Sequence, residues 1–251
     1  MVDSVVNSKL ASFPKLVGRI SMLGSCVHCP SVTWCFYIDA TYVPTRRDRS
    51  VSQEAYYSIL GLLPDGRREV LGVVHHPEEG ALCWEMELEA LKERGVEAVD
   101  LIVSDGLTGI ENAVKRAYPA ALHQLCMVHF KRNALGMVAK KDRAQLKADL
   151  DAFFLMENTD MMPMEAYENL KRFTENWSSK YPSFKRLSHE RSIAYFAYLR
   201  FPAHLHRMLC TTNWIEWLNR SYKDAPCTCV PRCPARVSAI SVGIYGTTND
   251  N

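Results

Sequence analysis

Apolar and β-branched residues dominate three neighbouring stretches in the first third of the chain, at 34–43, 55–63 and 68–74. Runs of this length and composition predict β-strands. The Pro64-Asp65-Gly66 turn leads directly from the second run into the third. We therefore expect three antiparallel strands joined by short connections.

The apolar period then alternates between helix and strand. Apolar residues recur at roughly helical spacing over 82–95, and 99–103 is a short apolar strand that returns after this helix, which predicts a parallel neighbour. Thr108 and Glu111 have capping-box spacing and open a helix over 108–117, followed by a last strand over 121–125. The order β-β-β-α-β-α-β predicts an α/β, ribonuclease-H-like mixed sheet with three antiparallel strands, then two parallel ones, flanked by helices.

The second half of the chain has a different character. From 130 to 198 the apolar spacing is helical without a convincing strand, and a further helix begins at Asn213. After Lys223 the chain is dense in proline and cysteine and has no helical period. The expected parts are a residual N-terminal segment 1–33, the first part of the core 34–130, an all-helical insertion 131–203, a last core helix 204–223 and a divergent, disordered tail 224–251.

Two carboxylates stand where apolar strands end. Asp39 lies in the first strand, and Asp105 follows the strand 99–103. A buried carboxylate without a partner costs several kcal/mol, so each needs a cation, a donor cluster or water. The residues predict a shared divalent ion at the carboxyl edge of the sheet. The alternatives are an ion pair of Asp39 with a nearby arginine and helix capping by Asp105.

Glu216 has a cheaper structural explanation. It has capping-box spacing with Asn213 and forms an i,i+4 pair with Arg220. If it joined the two aspartates, three carboxylates would suit two Mg²⁺ or Mn²⁺ ions, the arrangement used in phosphodiester displacement. No glycine-rich phosphate loop is present, so we expect no nucleotide cofactor.

Cys126 and His129 form a Cys-x2-His pair at the end of the last predicted strand. By spacing they are half of a zinc site, with Cys26-Val27-His28-Cys29 as the other half, but we do not expect a structural zinc because nothing brings the halves together. The alternatives are a buried thiol beside a hydrogen-bonded imidazole, and contact of His129 with DNA phosphate close to Lys131 and Arg132.

Composition and charge limit the possible partners. The chain has 251 residues, 47% apolar and 23% charged, which is typical of a globular protein, and a net charge of only +2. General affinity for polyanions is therefore not expected, and nucleic-acid binding needs local basic patches such as Arg46-Arg47 and Lys131-Arg132. No apolar run or secretory signal indicates a membrane, and most of the nine cysteines are expected to be reduced thiols of a cytoplasmic protein.

Six segments, in order and over roughly 34–223, together resemble the mutator-type transposases of bacterial insertion sequences. They are FYIDATYVP (36–44), DGRREVLG (65–72), LKERGV (91–96), VSDGLTGI (103–110), CMVHFKRN (126–133) and TTNWIEWLNR (211–220). Six ordered segments are far more specific than any one of them.

The resemblance implies a ribonuclease-H-like core with a catalytic, metal-binding Asp-Asp-Glu triad, carried over to Asp39, Asp105 and Glu216. Cys126 and His129 match the family's Cys-x2-His element. The implied reaction is metal-dependent cleavage of the element's ends, after which the freed 3′-hydroxyl attacks target DNA. The implied partners are double-stranded DNA and a second copy of the chain, because two DNA ends must be coordinated, and the implied location is the bacterial nucleoid. Further candidates for DNA contact are Arg46, Arg47, His129, Lys131, Arg132 and Arg220.

This chain also departs from the family's pattern. Family members usually begin with a helical DNA-binding region and continue past the glutamate helix with a basic helical segment. We therefore expect a chain truncated at both ends, whose activity is in question. Two alternative functions follow: a non-catalytic remnant that binds DNA or intact transposase and inhibits it, and a stand-alone ribonuclease-H-like nuclease.

Overall fold

The computed structural model describes residues 32–47, 50–64, 66–75, 81–107, 109–154 and 161–224. The predicted N-terminal segment up to residue 31, with Cys26-Val27-His28-Cys29, and the predicted tail from residue 225 lie outside these residues. The domain boundaries given above stay a prediction.

The described residues form one five-stranded mixed sheet. Its strands are β1 (Val32–Arg47), β2 (Ser50–Leu62), β3 (Arg68–His75), β4 (Ala98–Ser104) and β5 (Leu122–Leu125). Their spatial order is β3-β2-β1-β4-β5; β1 pairs with β2 and β2 with β3 antiparallel, whereas β1 pairs with β4 and β4 with β5 in parallel. The ribonuclease-H-like α/β fold is therefore confirmed.

Helices precede and follow β4 and occupy the rest of the described chain. The α-helices are α1 (Ala81–Glu93), α2 (Ile110–Ala117), α3 (Met127–Gly136), α4 (Arg143–Phe153), α5 (Pro163–Ser178), α6 (His206–Leu209) and α7 (Asn213–Asp224). Short 3₁₀ helices lie at Lys140–Asp142, Pro182–Leu187, Glu190–Arg200 and Ala203–Leu205. Pro163 and Pro182 each begin a helix, where the missing N–H is not needed.

The alternation of side chains along β1 separates two hydrophobic cores. Phe36 and Ile38 are buried on one face with residues of α1 and α2. Cys35 and Tyr37 are buried on the other face with residues of α3, α4, α5 and α7. Because successive side chains of a strand point to opposite faces, Asp39 continues the Cys35 and Tyr37 series and faces the α3 and α7 side.

The turn after β4 differs from the predicted capping box. The N-cap of α2 is Gly109, with φ 80°, and no side-chain cap is seen among the described residues; Thr108 lies outside them, so its side chain is not described. Glu111 instead binds Lys115, one turn later, at 2.7 Å. Gly106 also has a positive φ of 86°. Two glycines in the left-handed region turn the chain sharply after Asp105, a conformation that other residues adopt at a cost.

Candidate metal centre

Strand register places Asp39 beside Asp105. In the parallel pair β1 and β4, Ile38 is paired with Ser104. Asp39 and Asp105 therefore follow at the same level of neighbouring strands, and both belong to the series of side chains on the α3 and α7 face.

His129 joins the two aspartates. It lies in the first turn of α3, which begins two residues after β5 ends. One potential ligand atom from each of Asp39, Asp105 and His129 lies within 4.8 Å of the other two. Since cation–oxygen distances are about 2.0–2.6 Å, donor atoms at this separation are close enough to share one ion.

Asp39 is held in a buried polar chain. Its side chain is 5% exposed, and its Oδ2 accepts a hydrogen bond from the Asn219 amide at 2.8 Å. Ser58, which stands opposite Asp39 in β2, donates to Asn219 Oδ1 at 3.0 Å. The Ser58 hydroxyl thereby orients the amide so that its N–H groups face the carboxylate.

Burial, together with repulsion from Asp105, raises the pKa of Asp39 to about 6. His129 and the Asn219 hydrogen bond oppose this rise, and the charge of Glu216 adds to it. Two carboxylates crowded in a buried position are therefore only partly compensated by the protein.

Glu216 lies on α7, close to the aspartates but outside the group that they form with His129. Its Oε2 accepts a hydrogen bond from Arg132 Nη2 at 3.0 Å, and the Glu216 side chain is 19% exposed while that of Arg132 is 56% exposed. The other carboxylate oxygen, Oε1, is buried and has no hydrogen-bond partner within the described part of the chain. The ion-pair partner observed for Glu216 is thus Arg132; the predicted pairing with Arg220 is not described, because the Arg220 side chain lies outside the described set.

Cys126 links the elements that carry these side chains. Its N–H donates to the Ser104 carbonyl at 2.8 Å, next to Asp105. Its sulfur accepts the N–H of Thr212 at 3.4 Å and lies 3.3 Å from the Thr212 hydroxyl. The Thr212 carbonyl in turn accepts the N–H of Glu216 at 3.0 Å. The end of β4, the start of α3 and the start of α7 therefore meet at one buried residue.

The surroundings of Cys126 also shift two pKa values. Burial opposes ionisation of the thiol, but interactions with His129 and Thr212 outweigh it and lower the pKa of Cys126. The same interaction with the sulfur raises the pKa of His129, against its own burial, and Asp105 and Asp39 add to the rise. The predicted neighbourhood of buried thiol and imidazole is therefore present, and the imidazole also belongs to the acidic group.

The comparison with known proteins assigns the family. Residues 32–240 match the transposases of the Mutator family. The chain belongs to this family. A transposase for insertion sequence element IS905 of Lactococcus lactis is 33% identical over 187 residues, 74% of this chain and 46% of the relative. One for IS1201 of Lactobacillus helveticus is 31% identical over 76% of this chain and 50% of the relative.

A third relative, the transposase for element ISRM3 of Rhizobium meliloti, is 32% identical over 75% of this chain and 46% of its own length. This Mutator-family chain thus spans about half the length of the curated relatives it matches. In the part of the chain that the structure describes, no helix is both long and apolar enough to cross a membrane.

The remaining predicted DNA contacts stay predictions. Lys131 binds Asp151 at 2.8 Å, on the surface. The side chains of Arg46, Arg47 and Arg220 lie outside the described residues, although their backbones belong to β1 and α7.

Sequence reasoning missed several residues of the centre. Asn219 lies three positions after the predicted Glu216 on α7, and this i,i+3 spacing was a usable signal for it. Thr212, which was also missed, directly precedes that helix. Ser58 had no such signal, because its place opposite Asp39 depends on strand register. The position of His129 at the start of a helix after a parallel strand was a usable signal that it reaches the same sheet edge.

Proposed function

We propose that this chain carries the catalytic centre of a metal-dependent DNA transposase, which cleaves the phosphodiester bond at the ends of an insertion sequence and joins the freed end to target DNA. The observation that supports this most is the convergence of Asp39 and Asp105 at one sheet edge in a member of the Mutator family, with Glu216 close enough for its charge to raise the pKa of Asp39. The relatives are themselves named transposases for insertion sequence elements.

The residues fit a divalent cation. Asp39 is buried beside a second carboxylate, and its raised pKa expresses first the cost of burying its charge and then the repulsion from Asp105. A cation between them would remove that cost, and the partnerless Oε1 of Glu216 offers a further oxygen. Carboxylate oxygens suit Mg²⁺ and Mn²⁺. When bound, such ions activate an attacking oxygen and stabilise a leaving one.

The protein side chains divide the remaining work. Asp39 and Asp105 hold the cation, and Asn219 keeps the Asp39 carboxylate in one orientation. Arg132 neutralises Glu216 in the free protein. Because guanidinium groups bind phosphate in the same bidentate manner as carboxylate, a DNA phosphate competes for Arg132 and releases Glu216 towards the aspartates.

The proposed substrates are two double-stranded DNAs, the ends of the element and the target. Two ends must be cut in concert, so the proposed active assembly is a dimer of the chain. Arg132 and Lys131 lie on α3, the helix that also carries His129. We therefore propose that this helix contacts the DNA backbone.

Strand transfer tests the proposal. The purified chain is incubated with Mg²⁺ or Mn²⁺, a labelled duplex ending in the terminal sequence of the element that encodes it, and a supercoiled plasmid. We expect joined products, and a loss of joining by roughly 10²-fold or more in Asp39→Asn, Asp105→Asn and Glu216→Gln, as is typical when a group that stabilises charge in a transition state is removed. Asp100→Asn, at an exposed position of β4, is the matched control and keeps full joining.

Three results would refute the assignment. Joining that persists in Asp39→Asn rules out the proposed centre. Cutting without joining, abolished by the same substitutions, supports a nuclease instead. DNA binding with neither cutting nor joining supports a non-catalytic remnant.

A further inference from the structure

We infer that His129 is itself a ligand of the cation held by Asp39 and Asp105, so that the first cation site combines two carboxylates with one imidazole, and Glu216 stands outside it. The inference rests on the proposed function in one respect, that the two aspartates bind a cation. It goes further in assigning the third ligand and therefore the type of cation.

The geometry distinguishes His129 from Glu216. The potential ligand atoms of His129 and the two aspartates are mutually within 4.8 Å, whereas Glu216 does not belong to this group. Glu216 is bound to Arg132 at 3.0 Å. In the free protein, therefore, the third position around the aspartates is taken by an imidazole and not by the third acid.

The backbone holds His129 firmly in this place. The N–H of Cys126 binds the carbonyl of Ser104 at 2.8 Å, which fixes the start of α3 to the residue before Asp105. The first turn of α3 is closed by the N–H of Phe130, which binds the Cys126 carbonyl at 3.1 Å. His129 thus projects from a turn that is tied to the aspartate-bearing strand, and ligands on such rigid elements bind cations without first being ordered.

Two buried polar atoms near the group support a bound ion. His129 Nδ1 is buried and makes no hydrogen bond of standard geometry among the residues described, although the ring interacts with the neighbouring Cys126 sulfur. Thr41, only 2% exposed, lies two residues beyond Asp39 on the same face of β1, and its hydroxyl also has no partner in the described chain. Buried polar atoms without partners are costly, and a cation with its coordinated water would satisfy atoms at this place.

An imidazole ligand changes which cation is preferred. Mg²⁺ favours oxygen donors and keeps several of its waters, whereas nitrogen donors favour transition ions, of which Mn²⁺ also accepts carboxylates. The site should therefore bind Mn²⁺ more tightly than Mg²⁺, and His129 should be the origin of the difference. Two carboxylates and a neutral imidazole also balance the charge of one divalent ion.

Electron spin echo spectroscopy of bound Mn²⁺ tests the ligand directly, without DNA and without turnover. The full chain is loaded with one equivalent of Mn²⁺, and the echo modulation from directly bound ¹⁴N is recorded, with a ¹⁵N-histidine sample to identify the nitrogen as imidazole. We expect the ¹⁴N modulation in the unaltered chain and in the control His204→Ala, which changes an exposed histidine. In His129→Ala the modulation disappears and Mn²⁺ affinity falls at least about tenfold, while Mg²⁺ affinity changes less.

His129→Gln, which keeps a side chain of similar length with an oxygen donor, serves as a second variant if the alanine variant does not fold. It should bind Mn²⁺ without nitrogen modulation. Mn²⁺ that binds with no histidine modulation, or with modulation that survives in both variants, overturns the inference and leaves the proposed function standing. A chain that binds neither Mn²⁺ nor Mg²⁺ overturns both.

Discussion

Replacing Asp39 by asparagine should stabilise the metal-free protein while abolishing cation binding. The asparagine side chain has the same shape as the aspartate that it replaces, and its carbonyl oxygen can still accept the hydrogen bond that Asn219 donates at 2.8 Å. It carries no charge, so neither its burial nor the neighbouring Asp105 penalises it. The centre is thus expected to be a place where function is maintained at the expense of stability.

The sign and size of the expected stability change follow from the pKa of Asp39, which rises from 3.8 to about 6 in the folded protein. A carboxyl group with a raised pKa holds its proton more tightly in the folded protein. Its contribution to the free energy of unfolding is therefore most favourable below pH 4, and this contribution is lost as the pH rises through about 6. Each pKa unit corresponds to about 1.4 kcal/mol, so the ionised carboxylate costs the fold about 3 kcal/mol at pH 8. Asp39→Asn should recover an amount of this order.

Urea denaturation with a chelator present, repeated between pH 4 and pH 8, measures this cost. The free energy of unfolding of Asp39→Asn should exceed that of the unaltered chain by about 3 kcal/mol at pH 8, with the difference vanishing near pH 4. In a chain of this size that corresponds to roughly 6–12 °C in Tm. Asp100→Asn, at an exposed position of the neighbouring strand β4, should change neither value.

Added Mn²⁺ should reverse the order of stability, because only the unaltered chain gains free energy by binding it. If Asp39→Asn is no more stable than the unaltered chain at pH 8, or if its advantage is the same at pH 4, the electrostatic description of the centre is wrong.

Three further predictions concern the neighbours of the acids. Cys126→Ala removes the sulfur that links α3 to α7 and should lower the free energy of unfolding by about 1–2 kcal/mol in urea denaturation, with Cys126→Ser restoring part of it. Arg132→Gln breaks an exposed ion pair with Glu216, so it should change stability by less than about 1 kcal/mol, while fluorescence anisotropy at several salt concentrations should show weaker DNA binding and a salt slope smaller by about one. Asn219→Ala removes the hydrogen bond that lowers the pKa of Asp39, so the acidic limb of the cleavage rate against pH should move to higher pH.

The local pattern of apolar and polar residues was sufficient to predict the main strands and helices. The apolar run 34–43 became β1, Val32–Arg47, and the helical spacing over 82–95 became α1, Ala81–Glu93. The helix expected from Asn213 begins at that residue. These predictions depend on periods of two and 3.6 residues. Strand and helix geometry impose these periods, and they can be recognised from residues that are close together in the chain.

The chemistry of the centre was only partly predictable. An acid that emerges from an apolar strand needs compensation whatever lies around it, so Asp39 and Asp105 were identifiable as candidates. The ion pair of Glu216 with Arg132 was not, because Glu216 has a plausible local partner in Arg220, four residues later in the same helix, whereas Arg132 is distant in the chain and only the tertiary fold brings it to Glu216.

The order of strands and helices, the family and the candidacy of the two aspartates as ligands were all predictable from the amino-acid sequence, since each of these depends on residues adjacent in the chain or on ordered motifs. Three features became visible only in the folded chain: β1 and β4 pair so that Asp39 is level with Asp105, His129 reaches both aspartates, and Asn219 rather than Glu216 donates a hydrogen bond to Asp39. These contacts join distant parts of the chain. They depend on helix packing across the sheet and on strand register, because a register shift by a single residue would turn the side chains of a strand to the opposite face.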